Sequence, residues 1–336
     1  MATNILDADG VGNRPGAAVP EEPRLKRGVL ADASAARAKN REYLFYAITK
    51  NGGFVAALVW IFTQPSGWVE WSGFFLFYAL NILSMSLGYH RYFAHRAFET
   101  SVPMRYALGI LAQFGVYGSL PKWVADHRRH HSLSDREGDI HSPHVDPHGR
   151  KLSGWRGIAF AQLGWVFHKT VTDWEIYGKG LMDDPVMRFC HRTRYFWYAV
   201  SALVLPALWG WAWGGTGAIL GTILIAGFFR VQVALHLIGA VNSFGHAFGS
   251  QRFKTSDTAR NNWILGWLTL GEGWHHNHHA HPRSARAGLT WWEVDPTAWL
   301  IRLMEKTGLV WNVRYAPRYR RNPAGEWVAL PGKAPS

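Results

Sequence analysis

One histidine spacing occurs twice in this 336-residue chain. His127-Arg128-Arg129-His130-His131 and His275-His276-Asn277-His278-His279 both read H-x-x-H-H. On an α-helix, residues i, i+3 and i+4 share a face, so each motif is expected to present three imidazoles in one direction. Neutral imidazole ligates iron, zinc, copper and nickel. A third stretch, Gly88-Tyr89-His90-Arg91-Tyr92-Phe93-Ala94-His95, holds two histidines five apart, about 140° around an ideal helix. These converge only if the helix ends or distorts, or if each serves a different metal. His246, four residues after Asn242 in Asn242-Ser243-Phe244-Gly245-His246, completes the set.

Nine imidazoles are too many for one ion, since zinc takes four ligands and non-haem iron at most six. The expectation is two metals with a water or two. The single cysteine, Cys190, excludes a disulfide framework within the chain and any multi-cysteine zinc or iron–sulfur site. Asp126, Asp135, Glu137, Asp139, Asp257 and Glu272 lie near the clusters in sequence. They are expected to accept the second ring N–H of the ligands and fix their orientation, although each also reads as an ordinary surface or capping carboxylate. His141, His144, His148, His168, His191, His276 and His281 read as packed or surface residues, and His276 falls off the shared face of its motif.

The elements that must position these residues are apolar. Stretches at about 43–63 and 68–89 are joined by Gln64-Pro65-Ser66-Gly67, and stretches at about 195–213 and 216–240 by Gly214-Gly215. Each approaches the roughly 20 residues that span a bilayer. They read as two transmembrane hairpins with Trp60, Trp68, Trp71, Trp209, Trp211 and Trp213 at the tips, where an aromatic belt belongs. The alternative is a set of buried helices in a soluble all-α protein. Seven Lys and Arg precede residue 43, fifteen lie between 91 and 194, and twelve follow 250, while the tips carry none. The positive-inside rule therefore places both termini and the middle loop in the cytoplasm. At 1.5 Å per residue, all four histidine clusters reach that same side. Met104–Tyr117 and Trp155–Phe167 are too short to cross and suit helices at the interface or along a site. Residues 1–40 read as a mobile basic N-terminal tail without a signal peptide, and 316–336 as a C-terminal tail. The expected fold is an all-α integral membrane domain over 41–315, with a cytoplasmic helical cap that holds a two-metal site.

In these motifs the chain resembles the membrane fatty-acid desaturases of the stearoyl-CoA type, especially short bacterial Δ9 members. That family's boxes, H-x4-H, H-x-x-H-H, N-S-x-x-H and H-x-x-H-H, occur here in order. Gly271-Glu272-Gly273-Trp274, Ser284-Ala285-Arg286 and Trp291-Trp292-Glu293 match around the last box, and the resemblance covers roughly 45–315. It implies a di-iron site ligated by His90, His95, His127, His130, His131, His246, His275, His278 and His279, with Asn242 holding a metal-bound water. It also implies a cis double bond made from O2 and two external electrons, and a kinked apolar tunnel for the acyl chain. Tyr78 and Ile82, one turn apart, could close the far end of that tunnel. Many relatives carry Trp three residues before the box asparagine, where this chain has Gly239, so chain length and bond position are left open.

The chain shows no G-x-G-x-x-G after a strand and no cysteine set for a cluster, so its electrons must come from a separate carrier: ferredoxin, rubredoxin or cytochrome b5. Its net charge of +13 suits an acidic carrier and a phosphate-bearing substrate handle, and equally an anionic bilayer. Acyl-CoA, acyl-carrier protein and intact lipid all remain open as substrate forms, and nucleic acid is not an expected partner. The expected location is a bacterial inner membrane. Imidazole sites also accept zinc, so zinc can take the place of iron in a preparation. The rival readings are a sister hydroxylase, acetylenase or terminal desaturase, and a membrane metal transporter or metal-binding protein without redox chemistry.

Overall fold

The computed structural model describes residues 25–330. Four helices are long and apolar enough to cross a membrane: α1 (Ala33–Thr63), α2 (Trp68–Ala94), α6 (Pro185–Gly214) and α7 (Thr216–His246). Between α2 and α6 lie α3 (Val102–Gln113), α4 (Leu120–Leu133) and α5 (Gly154–Gln162). After α7 come α8 (Trp263–Leu268), α9 (His275–Ala280) and α10 (Pro296–Lys306). Short strand pairs join Val29–Leu30 to Val171–Thr172, Glu99–Thr100 to Val310–Trp311, and Tyr319–Arg321 to Trp327–Ala329.

Local chemistry sets the helix ends. Asp32 caps α1 by accepting the N–H groups of Ser34 and Ala35. The helix stops at Gln64, ahead of Pro65, which cannot continue it. Glu70 reaches back to the Gly67 N–H at 2.8 Å to start α2. At the second tip Gly215 takes φ +69°, a conformation without steric cost only for glycine. The two tips meet: the Trp209 indole donates to the Val69 carbonyl at 3.0 Å, and Trp68 packs edge-on against Trp213.

All four helices continue past their apolar stretches at the end away from the tips. Hydropathy marks only the lipid-embedded part, and the polar extensions are packed into the cap. Part of the stretch expected as an N-terminal tail therefore belongs to the described fold. Residues 1–24 lie outside the described residues, Val29–Leu30 is strand-paired and α1 begins at Ala33. The expected C-terminal tail likewise contains a hairpin, Tyr319–Ala329. Its cross-strand hydrogen bonds were invisible to a reading based on hydrophobic runs. Exposed Trp155 on α5, exposed Leu163 and Phe167 just after it, and exposed Trp263, Ile264, Trp267 and Leu268 on α8 are apolar surfaces suited to the bilayer interface.

Between α3 and α4 the chain is irregular. Backbone groups buried away from water need partners, and four carbonyls of this loop find them on side chains of the spans. Ser201 donates to Phe114 at 2.9 Å, Asn81 to Gly115 at 3.0 Å, Lys50 to Val116 at 2.6 Å and Tyr89 to Gly118 at 2.8 Å. Val116 sits at φ +59°, strained for a β-branched residue. Arg230, fully buried on α7, ties this network together. It donates to Asn81 Oδ1 at 2.8 Å, to the Ser201 carbonyl at 2.6 Å and to the Ala226 carbonyl at 3.0 Å. The π-helical turns Val200–Val204 and Ile223–Phe229 lie at these acceptors and supply carbonyls outside the regular helical ladder. Gly227 permits the close contact, since a Cβ there would fall 2.1 Å from the Ala202 carbonyl.

Replacing Arg230 with Met should leave several buried acceptors without donors and destabilise the protein by about 2–4 kcal/mol. Arg230→Lys should recover part of that loss. Thermal unfolding in detergent checks this, and an Arg230→Met variant as stable as the wild type would refute the network's role.

Candidate metal centre

The nine histidines gather into two clusters. The ligand nitrogens of His90, His95, His127, His131 and His278 lie within 4.8 Å of one another, and so do those of His130, His246, His275 and His279. In the first cluster His95 and His127 approach through Nε2 at 2.8 Å, while His90–His278, His127–His131 and His131–His278 each stand at 3.0 Å. In the second, His275 Nε2 lies 3.0 Å from His246 Nε2 and 3.1 Å from His279 Nε2. Nitrogens bound to one metal at about 2.1 Å and at right angles stand about 3.0 Å apart. His130 Nε2 is buried without a hydrogen-bond partner, as a nitrogen reserved for a metal would be. The donor set therefore fits two imidazole-bound ions.

Helix geometry explains the sorting. Ser84–Ala94, the last part of α2, is π-helical, and the His95 N–H donates to the His90 carbonyl five residues back at 3.1 Å. That i→i+5 step brings the two rings onto one side, with centroids 4.9 Å apart. The angular mismatch of an ideal helix is thus resolved by distortion. The H-x-x-H-H motifs do not point three rings one way. In α4, His127 and His131 serve the first cluster and His130 the second. Around α9, His275 and His279 serve the second and His278 the first. The i, i+4 pair stays with one ion while the i+3 ring, offset around the helix, reaches the other, so each motif straddles both positions.

Four carboxylates hold ligand rings by Nδ1. Asp135 meets His246 at 2.8 Å, Asp139 meets His130 at 2.9 Å, Asp257 meets His279 at 2.8 Å, and Glu272 contacts His90. This leaves Nε2 facing the cluster. Asp126 and Glu137 form no such pair: Asp126 accepts from Thr172 Oγ1, and Glu137 packs beside Gly149. Sequence proximity could not separate these six, because the partner is chosen by loop folding. Burial raises the Asp139 and Glu272 carboxyls, but contact with His130 in one case and with His90 and Arg91 in the other outweighs it, leaving both at about 2. Burial, followed by repulsion from neighbouring rings, pushes His95, His127, His131, His275, His278 and His279 well below 6.5. These rings are neutral, as metal ligands must be.

A cavity of about 240 Å³ reaches the clusters from one side. His90, His127 and His275 border it, with Met85, Tyr117, Trp123, Leu235 and Ile238 among its apolar walls. Asn242 and Gly239 also line it, as do Gln162, Trp165 and Phe167 after α5. Tyr78 and Ile82 do not. Tyr78 donates to the Leu268 carbonyl at 2.5 Å, and Ile82 is buried elsewhere in the helix packing. Their shared helical face was legible, but the position of the cavity along α2 was not. His276 is turned away, bonded to the Ala259 carbonyl and the Phe253 N–H. His141, read from sequence as a packed or surface residue, is packed. It is buried 4.3 Å from the His130 ring, its Nδ1 lacks a partner, and burial beside His130 pulls it down to about 3. Its position near Asp139 in H-x-x-H-H…D-x-H offered no recognisable spacing.

Comparison with known proteins agrees with this geometry. Residues 66–315 match the family model described as fatty acid desaturase. The chain is 38% identical to the hex-5-enoyl-[acyl-carrier protein] acetylenase of Moorena producens, over 82% of this chain and 86% of that protein. It is 32% identical to the sn-1 stearoyl-lipid 9-desaturase of Anabaena variabilis, over 72% and 83%. It is 30% identical to the Delta-9 acyl-lipid desaturase 2 of Arabidopsis thaliana, over 95% and 97%. The chain belongs to the fatty acid desaturase family, whose members are O2-dependent oxidoreductases acting on acyl chains in a membrane setting.

Two measurements follow from the geometry. Asp257→Asn should weaken metal retention about 10–100-fold by releasing His279 from its carboxylate, as read by chelator competition. Unchanged retention would remove the orienting role. Metal-stripped protein should also lose stability as pH falls below 6.5, because unfolded histidines take up protons that the buried rings refuse. A melting temperature that stays flat from neutral to mildly acidic pH would contradict this.

Proposed function

We propose that the chain is a di-iron acyl desaturase that introduces a cis double bond, at Δ9, into a saturated acyl chain. The observation that carries the reading is the pair of all-histidine clusters bordering one largely apolar cavity. Bound iron would supply the oxidising power, drawn from O2 and two electrons, to remove hydrogen from an unactivated methylene.

The protein's part is placement. The cavity's apolar walls would hold the acyl chain and limit water beside the clusters. Trp123 lies flat against His127, with ring centroids 4.7 Å apart and planes 15° apart, and would press the chain towards the first cluster. The second cluster has four imidazoles against five in the first. Asn242, which lines the same cavity as His275, would hold a water there. Gly239 leaves room for the Gln162 amide, since a Cβ at 239 would stand 2.8 Å from Gln162 Nε2. Gln162 accepts from Ser243 and donates to the His236 carbonyl, so a polar group replaces the indole of many relatives at this wall. The substrate is a fatty acyl group carried by coenzyme A, acyl-carrier protein or lipid. The electron donor is ferredoxin, rubredoxin or cytochrome b5. The orientation has both termini and the metal centre in the cytoplasm, in a bacterial inner membrane.

A second reading, an acetylenase acting on a pre-formed double bond, is favoured by the 38% identity to the Moorena producens enzyme.

Fatty-acid composition in a host lacking its own desaturase separates these readings. Wild-type protein should yield new cis-monoenes with the double bond at C9, and His278→Ala none. Alkynes formed from supplied monoenes would establish the second reading. No product from either substrate class, with iron, O2 and donor present, would reject both.

A further inference from the structure

The clusters have a second open side. A groove of about 630 Å³ shares no lining residue with the apolar cavity. Its floor includes His95 and His131 of the first cluster and His279 of the second, whereas His90, His127 and His275 border the cavity. The remaining three ligands, His130, His246 and His278, line neither. The nine rings are thus divided evenly among a cavity side, a groove side and an enclosed middle.

The groove is cationic. Arg128, Lys254 and Arg283 line it, and none makes an ion pair among the described residues. Its one lining carboxylate, Asp257, is held by His279 and by the Ala259 N–H. Phe253 and Tyr319 add an aromatic wall, Tyr319 coming from the C-terminal hairpin. Unpaired cations around an aromatic contact suit the acidic surface of a protein. Imidazoles of both clusters on the floor put a single ring between such a protein and each metal position.

We infer that this groove is the docking site of an acidic one-electron carrier protein, which delivers electrons through His95, His131 and His279 while the acyl chain occupies the opposite cavity. The balance requires such a donor. R–CH2–CH2–R′, O2, two electrons and two protons give R–CH=CH–R′ and two waters, so each turnover takes two electrons that the chain's own residues do not provide. The inference rests on the proposed oxidative reading for that need, but its test requires no turnover.

The test is binding of an acidic [2Fe–2S] ferredoxin to the zinc-loaded full chain in nanodiscs, at low and high salt. Wild-type protein should bind at low salt and weaken steeply as salt rises. The double variant Lys254→Glu with Arg283→Glu should bind about tenfold more weakly or worse while keeping its zinc. A control of equal charge change, Lys151→Glu with Lys306→Glu, should bind as the wild type does. Equal loss in both double variants would show a response to net charge alone and overturn the inference. So would wild-type binding that is absent or insensitive to salt, or displacement of the ferredoxin by free coenzyme A, which would mark the groove as a substrate-handle site. Groove-dependent binding without any acyl product in the host assay would reject the desaturase reading and leave the docking surface standing.

Discussion

Nine imidazoles can share so small a volume only if they are uncharged and if each presents a lone pair inward. Protonated rings packed with nitrogens about 3 Å apart would repel one another strongly in a low-dielectric interior. Burial pushes His95, His127, His131, His275, His278 and His279 towards the neutral form, and Asp135, Asp139, Asp257 and Glu272 hold four of the nine rings by Nδ1 so that Nε2 faces the cluster. Each carboxylate stands on a loop or turn rather than on the helix bearing its histidine. The segments Asp135–Asp139, Asp257–Asn261 and Gly271–Trp274 are therefore fixed by the same demand that fixes the ligands. The cap is built around this constraint.

The membrane half meets a parallel one. A polar group surrounded by lipid or by buried helices must find its partner within the protein. The loop after α3 would be untenable at that depth without Lys50, Asn81, Tyr89 and Ser201, each aimed at one of its carbonyls. Arg230 then locks Asn81 and Ser201 in place. The consequence reaches the metal centre, because this loop leads into α4, which carries Trp123, His127, His130 and His131. An arginine in the spans thus supports the imidazoles beyond them, with distorted helical turns supplying acceptors that a regular helix would keep for itself.

These two constraints leave the centre with two faces. The apolar cavity lies against one set of rings and the cationic groove against another. A catalyst that must exclude water from a reactive carbon and yet receive charge from outside needs such a separation. Here it arises from the way α4 and α9 each straddle both clusters, so that each H-x-x-H-H motif contributes rings to more than one side.

The sequence by itself determined the chemical inventory and the spans. Hydropathy marked the lipid-embedded parts of four helices because burial in a bilayer leaves a one-dimensional signature, and the H-x-x-H-H spacing survived as helical neighbours. It did not determine the helical distortion that joins His90 to His95, since no local propensity distinguishes a π turn from a helix end. Nor could it assign His130 and His278 to the cluster opposite their neighbours. It could not separate Asp257 from Asp126 as a histidine partner, locate the cavity away from Tyr78 and Ile82, or show that His141 is buried beside His130. Those outcomes depend on how segments fold against one another, at separations from the 22 residues between Asp257 and His279 to more than a hundred for Asp135 with His246 and Arg91 with Glu272. Spacing along the chain fixes which groups share a face, and only tertiary packing decides which faces meet.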